Sequence, residues 1–394
     1  MFFSPKSHGS LILTIEVQSS MVRGSLVWLK SGAAKPEVLF IGLRDVPYRP
    51  GMKTGRFVQT TMQEVGEVID AVLQRLYSLR SERAAEHIPR HISEAHYILS
   101  SPWMVCQART LSLPFERDTK VSRAKITSIL DDERSRMAPS ADGPTEIIEE
   151  KIFEVRLNGY PVAAWQDKPA RELEISYALG VAGTSSLAHF QEACRRVVGP
   201  RRVQFHSSLL LQYVALRETL PERMSYTLIH VHGELTDVVL VDHGACSFFG
   251  SYPFGIRSAV RTIAEGAKGD EEAADSLLSL YTEKRLEDKS AAQSADVMKK
   301  ASDKWIAQFK DILKQGQAES RQSPDTIIAA RFHEQFFADS FRTAYPSSRV
   351  ELLALDSVLS RVDYGSGSLH QRIVGLYALA IHSLKEGRLS QDMR

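Results

Sequence analysis

With 394 residues the chain has length for two or three domains, because a single hydrophobic core seldom grows past about 250 to 300 residues. Its 43% hydrophobic and 25% charged residues belong to the soluble globular class. Lysine plus arginine (49) almost cancels aspartate plus glutamate (48), so the net charge of +1 supplies no bulk field toward nucleic acid or an anionic membrane.

Cys106, Cys194 and Cys246 are isolated, without CxxC spacing, and read as buried free thiols in a reducing compartment. The opening MFFSPKSHGS lacks the apolar core and cleavage site of a signal peptide, and the sequence has no run of about 18 apolar residues. A cytoplasmic location is expected.

In chain order, Leu11 to Leu29 predicts two apolar strands around a polar turn at Gln18, Ser19 and Ser20. Val38 to Arg44 predicts a third strand, and Tyr48 to Phe57 a basic surface loop punctuated by Pro50, Gly51 and Gly55. From Thr60 the spacing of Met62, Val65, Ile69, Val72, Leu73, Leu76 and Tyr77 predicts a helix packed on the sheet. His96 to Ser101 and the segment after Pro102 predict two more strands, and Asp132 to Pro144 a surface loop. Ile147 to Val155 has helical spacing, whereas Arg171 to Leu179 alternates as a half-buried strand. A helix follows, with Thr184 or Ser185 as its cap, and residues 203 to 217 carry a further helical stripe.

Tyr226 to Gly244 repeats the strand-turn-strand pattern about 215 residues after the first, around a turn containing Gly233, Glu234, Thr236 and Asp237. Such a turn is one way to offer backbone N–H groups to a phosphate. Ser247 to Ser251 predicts a strand, Ile256 to about Leu313 a long helical zone, Thr326 to Ala330 a strand with a helix after it, and His370 to Leu384 a last helix returning to the first domain.

The two strand-turn-strand units resemble the phosphate-binding hairpins of the actin-like ATPases, and the wording around them is similar to the FtsA and PilM branch. The resemblance implies an α/β, ribonuclease H-like, duplicated two-lobed fold with a nucleotide in the cleft. It also implies an inserted small α+β subdomain of the SHS2 type. The expected division is a first lobe at 1–87 completed by 370–394, an insertion at 88–198 packed on that lobe, and a second lobe at 199–369. By the same resemblance Glu16 and Asp237 are the candidate catalytic acids. Ser19, Ser20, Gly233, Glu234, Thr236, Asp237, Ala329 and Ala330 then mark a vestigial nucleotide site.

The family motifs have drifted. Glu16 and Gln18 stand for aspartate and glycine in the first hairpin, His230 and His232 for aspartate and glycine in the second, and Ala329, Ala330 and Arg331 for the glycine-rich adenosine turn. Side chains where backbone must touch phosphate obstruct it. No GxSxG, HExxH, GxxxxGK[ST] or GxGxxG motif is present, and His230 with His232 finds no third metal ligand. The expectation is therefore a degenerate ATPase acting as an adaptor, without cofactor, with Mg-ATP as the open alternative.

The resemblance further implies a PilM-type role on the cytoplasmic tail of an inner-membrane pilus protein, reaching the membrane only through that partner. An FtsA-like division role is the alternative, and a homo-oligomer or filament is left open. The strand at Arg171 to Leu179 is the expected docking edge if it lies at the rim of its sheet, and a paired interior strand is the competing reading.

Overall fold

The computed structural model describes residues 9–32, 35–47, 51–81, 88–135, 143–353, 361–363 and 372–386. The loop expected from Tyr48 is described only from Gly51, and the middle of the loop expected at Asp132 to Pro144 lies outside the described residues.

Strands β1 (Ser10–Val17) and β2 (Met21–Leu29) form the first hairpin, and β3 (Glu37–Asp45) pairs antiparallel with β2. Helix α1 (Thr54–Ser81) lays Val65, Val68, Ile69, Val72 and Leu76 on this sheet. The approach is close: a Cβ at Gly24 would meet Val68 Cγ1 at 2.2 Å, so glycine is needed there. β4 (Ile92–Leu99) runs parallel to β1.

Beyond it come β5 (Met104–Val121), α2 (Arg123–Ser135), β6 (Thr145–Leu157), β7 (Tyr160–Pro161), β8 (Lys168–Gly183) and α3 (Thr184–Cys194). A 3-10 turn (Pro200–Arg202) leads to β9 (Val203–Ser207), parallel to β4, and then to α4 (Ser208–Thr219).

The second half repeats the plan. β10 (Tyr226–Val231) and β11 (Thr236–Asp242) form the second hairpin, and β12 (Ala245–Tyr252) pairs antiparallel with β11. Helices α5 (Ile256–Ala267), α6 (Glu271–Thr282) and α7 (Asp288–Gln315) follow. Then come β13 (Asp325–Ala330), parallel to β10, α8 (Glu334–Ala344), β14 (Arg349–Leu352) and α9 (Arg372–Glu386). The two sheets have matching orders, β3-β2-β1-β4-β9 and β12-β11-β10-β13-β14, so the weak sequence repeat is a duplication of topology.

One apolar cluster joins the sheets: α4 and α9 contribute Leu209, Tyr213, Leu376 and Tyr377 between Ile12, Val27 and Ile98 on one side and Leu228, Val239 and Ile327 on the other.

Several expectations change. Ile147 to Val155 is strand β6, because irregularities between Ile147 and Glu149 and between Ile152 and Glu154 shift the alternation and leave a helix-like spacing. Residues 203 to 207 are strand β9, and the helix starts only where Ser207 Oγ accepts the Leu210 N–H at 3.3 Å. Asp132 to Ser135 closes α2. Gly183, without a side-chain bond, holds the N-cap of α3 expected for Thr184 or Ser185.

The strand Arg171 to Leu179 lies inside β8, which pairs with both β5 and β6, so it offers no edge to a peptide. The insertion boundaries also move. β4 belongs to the first sheet, and α3 buries Leu187, Phe190 and Cys194 in that sheet's core, leaving β5 to β8 with α2 as the inserted sheet with a small core of its own.

Candidate functional site

The turns of the two hairpins face one cleft between the lobes. It encloses a cavity of about 870 Å³ lined by residues of β1–β2, β10, α5, α6 and the β13–α8 connection. Ser20, Gly233, Ala329 and Ala330 line it; Glu16, Ser19, Glu234, Thr236 and Asp237 are buried but not part of its wall.

Glu16 is fully engaged by protein. The hairpin register sets it opposite Arg23 on the neighbouring strand, and Arg23 Nη1 donates to Glu16 Oε2 at 2.8 Å, with both side chains almost completely buried. Gln18 Nε2 donates to Oε1 at 2.6 Å, and the Tyr377 hydroxyl of α9 donates to the same oxygen at 3.0 Å. A carboxylate holding three donors, one of them a cation, has little left for the water shell of Mg²⁺. Burial, followed by the neighbouring Glu16 charge, pushes the Tyr377 phenol well above its ordinary range, so it stays a proton donor.

The network continues across the cleft. Gln212 of α4 places Nε2 2.9 Å from His230 Nδ1 and 3.4 Å from the Tyr377 hydroxyl. Burial, then His232 and Arg23, keep the His230 imidazole well below its usual pKa and hence neutral. His232 turns to the other acid, with Nε2 2.9 Å from Asp237 Oδ2. Burial alone would raise the Asp237 pKa; the His232 ring, with hydrogen bonds from His232, Ser101 and Ser251, outweighs it and holds the carboxyl below its ordinary value. The two histidine rings lie 4.0 Å apart yet have separate partners, and among the described residues no group of three or more His, Cys, Asp or Glu is placed to hold a metal.

The two turns expected to hold phosphate instead meet each other. Ser19 Oγ accepts the Glu234 N–H at 3.2 Å, and a Cβ on Gly233 would fall 1.7 Å from Ser20 Oγ, so the two turns touch. Glu234 is held by both guanidinium nitrogens of Arg261, at 3.1 and 2.5 Å. Thr236 Oγ1 donates to Phe254 O at 2.6 Å and accepts from Trp305 Nε1 at 3.1 Å. The first N–H groups of α5, a ready anion site when free, bond to the carbonyls of His232 and Gly233 at 2.9 and 2.7 Å.

At the turn after β13, where the resemblance implies adenosine, Arg331 crosses to the first lobe and pairs with Asp45 at 2.8 Å. The cavity wall carries three arginines against five carboxylates (Asp45, Glu271, Glu272, Asp275 and Glu334), a field unfavourable to a polyanion.

No protein-family model and no curated protein matches the sequence. Among solved structures, a PilM–PilN type IV pilus biogenesis complex is similar at a TM-score of 0.62 and 14% identity, over 97% of this chain and 99% of that one. The chain has the actin-like ATPase fold. MreB5 of Spiroplasma citri bound to ADP (TM-score 0.48, 8% identity, 96% and 98% covered) and the ethanolamine utilization protein EutJ from Carboxydothermus hydrogenoformans (0.46, 9%, 94% and 89%) are more distant matches.

Within this actin-like frame the residues that fill the site, Arg23, Gln212, Tyr377, Arg261 and Arg331, were not among the sequence candidates. Arg331 carried a signal, as the arginine in the expected glycine-rich turn, and so did Arg23, as a cation in an otherwise apolar strand that the register sets opposite Glu16.

Proposed function

We propose that the protein is an actin-like adaptor that neither binds nor hydrolyses ATP, and that it serves pilus assembly in the manner of PilM. The observation that carries this reading is the contact of the two hairpin turns, Ser19 and Ser20 against Gly233 and Glu234, in the space where the fold's other members seat phosphate. The pairing of Glu16 with Arg23 and the net acidic wall act in the same direction. Phosphoryl transfer is almost entirely positioning and electrostatics, and here both have been turned to holding the lobes together.

The likeness to PilM in its complex with PilN supports a partner that is the cytoplasmic tail of an inner-membrane pilus protein. No helix among the described residues is long and apolar enough to cross a membrane, which agrees with recruitment by such a partner. Because β8 is interior, the inserted sheet ends in β5, part of which lies against β12 of the second lobe, and in the short β7. We assign the tail to the side of the insertion bounded by β5.

Titration calorimetry with Mg-ATP tests the first half of the reading. No heat of binding is expected up to millimolar nucleotide, and micromolar affinity would return the protein to the ATPases. Pull-down from the native cell tests the second half: recovery of division proteins in place of a pilus membrane protein would overturn the assignment.

A further inference from the structure

We infer that the end of the first lobe where β4 and β9 begin is a docking surface for an anionic phospholipid bilayer. This goes beyond the adaptor reading and stands or falls independently of it. β4 and β9 are parallel, so their starts lie together, and the 3-10 turn before β9 packs beside β4. α1 and α3 cover the same sheet and each leads toward one of these starts.

Six arginines gather there. Arg80 lies in the last turn of α1, Arg90 just before β4, Arg195 and Arg196 just after α3, and Arg201 and Arg202 in the 3-10 turn, all with exposed side chains. Among the described residues the carboxylates near them include Asp70, Glu192 and, close to the start of β4, Glu94, which is held by Lys385. Arg196 pairs with Asp70 at 2.7 Å and Arg195 with Glu192 at 3.4 Å, while Arg90, Arg201 and Arg202 have no carboxylate at bridging distance among the described residues. In a chain of net charge +1 this is, among the described residues, a local excess of positive charge.

An exposed aromatic accompanies it. Arg196 reaches the Gly66 carbonyl at 3.4 Å as well as Asp70, and the same stripe of α1 continues through Leu73 to Tyr77. Tyr77 is 60% exposed, the guanidinium of Arg80 lying 5.2 Å from its ring centroid. Cations with an amphipathic ring beside them match a headgroup layer, where arginine meets phosphate and tyrosine sits at the interface. Arg201 and Arg202 precede the edge strand β9, but the other four cations lie at helix ends and a turn, so the charge is spread over several chain segments and not along one strand that would pair an extended acidic peptide.

Flotation of the full chain, without any partner, on vesicles of phosphatidylcholine and of phosphatidylcholine mixed with phosphatidylglycerol tests this. Binding is expected only to the anionic vesicles and should weaken as salt rises. Each arginine near such a surface is worth about fivefold in affinity. The Arg201→Ala/Arg202→Ala double variant should therefore bind about twenty-five-fold more weakly, while Lys299→Ala/Lys314→Ala, on an exposed face of α7, should bind as the unaltered chain does.

Equal binding to neutral vesicles would overturn the inference, as would anionic binding unchanged in the arginine variant. Duplex DNA or polyglutamate bound more tightly than the vesicles at the same salt would reassign the patch. Failure here leaves the nucleotide and pull-down results untouched, so the two readings are judged separately.

Discussion

The Glu234 backbone N–H donates to Ser19 Oγ at 3.2 Å, a bond between two turns 215 residues apart. Beside it Gly233 sits against Ser20 so closely that no Cβ fits. The two lobes are thus joined through their hairpin turns. The Asp45–Arg331 pair and the Tyr377–Glu16 bond add to the closure.

Gly233→Ala should separate the turns and destabilise the fold by about 1 to 3 kcal/mol, the usual cost of forcing an extra group into a packed contact. Ser20→Gly in the same chain should recover most of the loss by making room. Urea unfolding midpoints measure both. A neutral Gly233→Ala would show that the turns are not in tight contact.

Glu16→Gln leaves Arg23 buried without its counter-charge and should cost about 3 to 5 kcal/mol. Adding Arg23→Met removes the stranded charge and should restore a large part of that stability. Tyr377→Phe deletes one hydrogen bond to the carboxylate and should cost about 1.5 to 3 kcal/mol. A double-mutant cycle by chemical denaturation is the measurement; additive losses at Glu16 and Arg23 would mean the pair is not coupled.

The joint between the first sheet and the insertion should be sensitive to acid. His96 Nδ1 lies 3.0 Å from His206 Nε2; His96 Nε2 faces Glu94 on its own strand, which Lys385 on α9 also holds, and His206 Nδ1 faces Glu149 on β6, itself paired with Lys151. Burial, opposed by the Glu94 hydrogen bond, lowers the His96 pKa to about 4. Between the ordinary histidine value and that one the unfolded chain binds the extra proton, so this contribution is intact above pH 6.5 and is lost as pH falls toward 4. The loss should be of the order of 3 kcal/mol. Glu94, held at about 2 by His96 and Lys385 against its own desolvation, extends the decline below pH 4.5. Thermal melts from pH 7 to 4 should slope downward, and His96→Phe should flatten the slope; an unchanged slope would place the acid sensitivity elsewhere.

Much of the architecture is legible in the sequence. The apolar runs around Ser19 and around Gly233, and the three-and-four spacing of Val65 to Leu76, determine hairpins and a sheet-packed helix, because β-branched runs and helical stripes each bury one face. Their repetition, with the family's motifs still discernible, implied the duplicated two-lobed fold. Local pattern failed at β6, where irregular pairing shifts the side-chain phase, and at β9, a five-residue strand running directly into a helix.

The state of the site was legible only in part. Gln18, His230, His232 and Ala329 stand where the resemblance implies glycine or aspartate, but the sequence does not show what surrounds them. That depends on Tyr377, 361 residues from Glu16, on Gln212 from a helix between the sheets, and on Arg331 reaching across to Asp45. Contacts between residues so far apart in the chain leave no periodicity to read. A buried carboxylate requires compensation, but the sequence does not specify which distant donors supply it; packing two lobes on shared helices decides that.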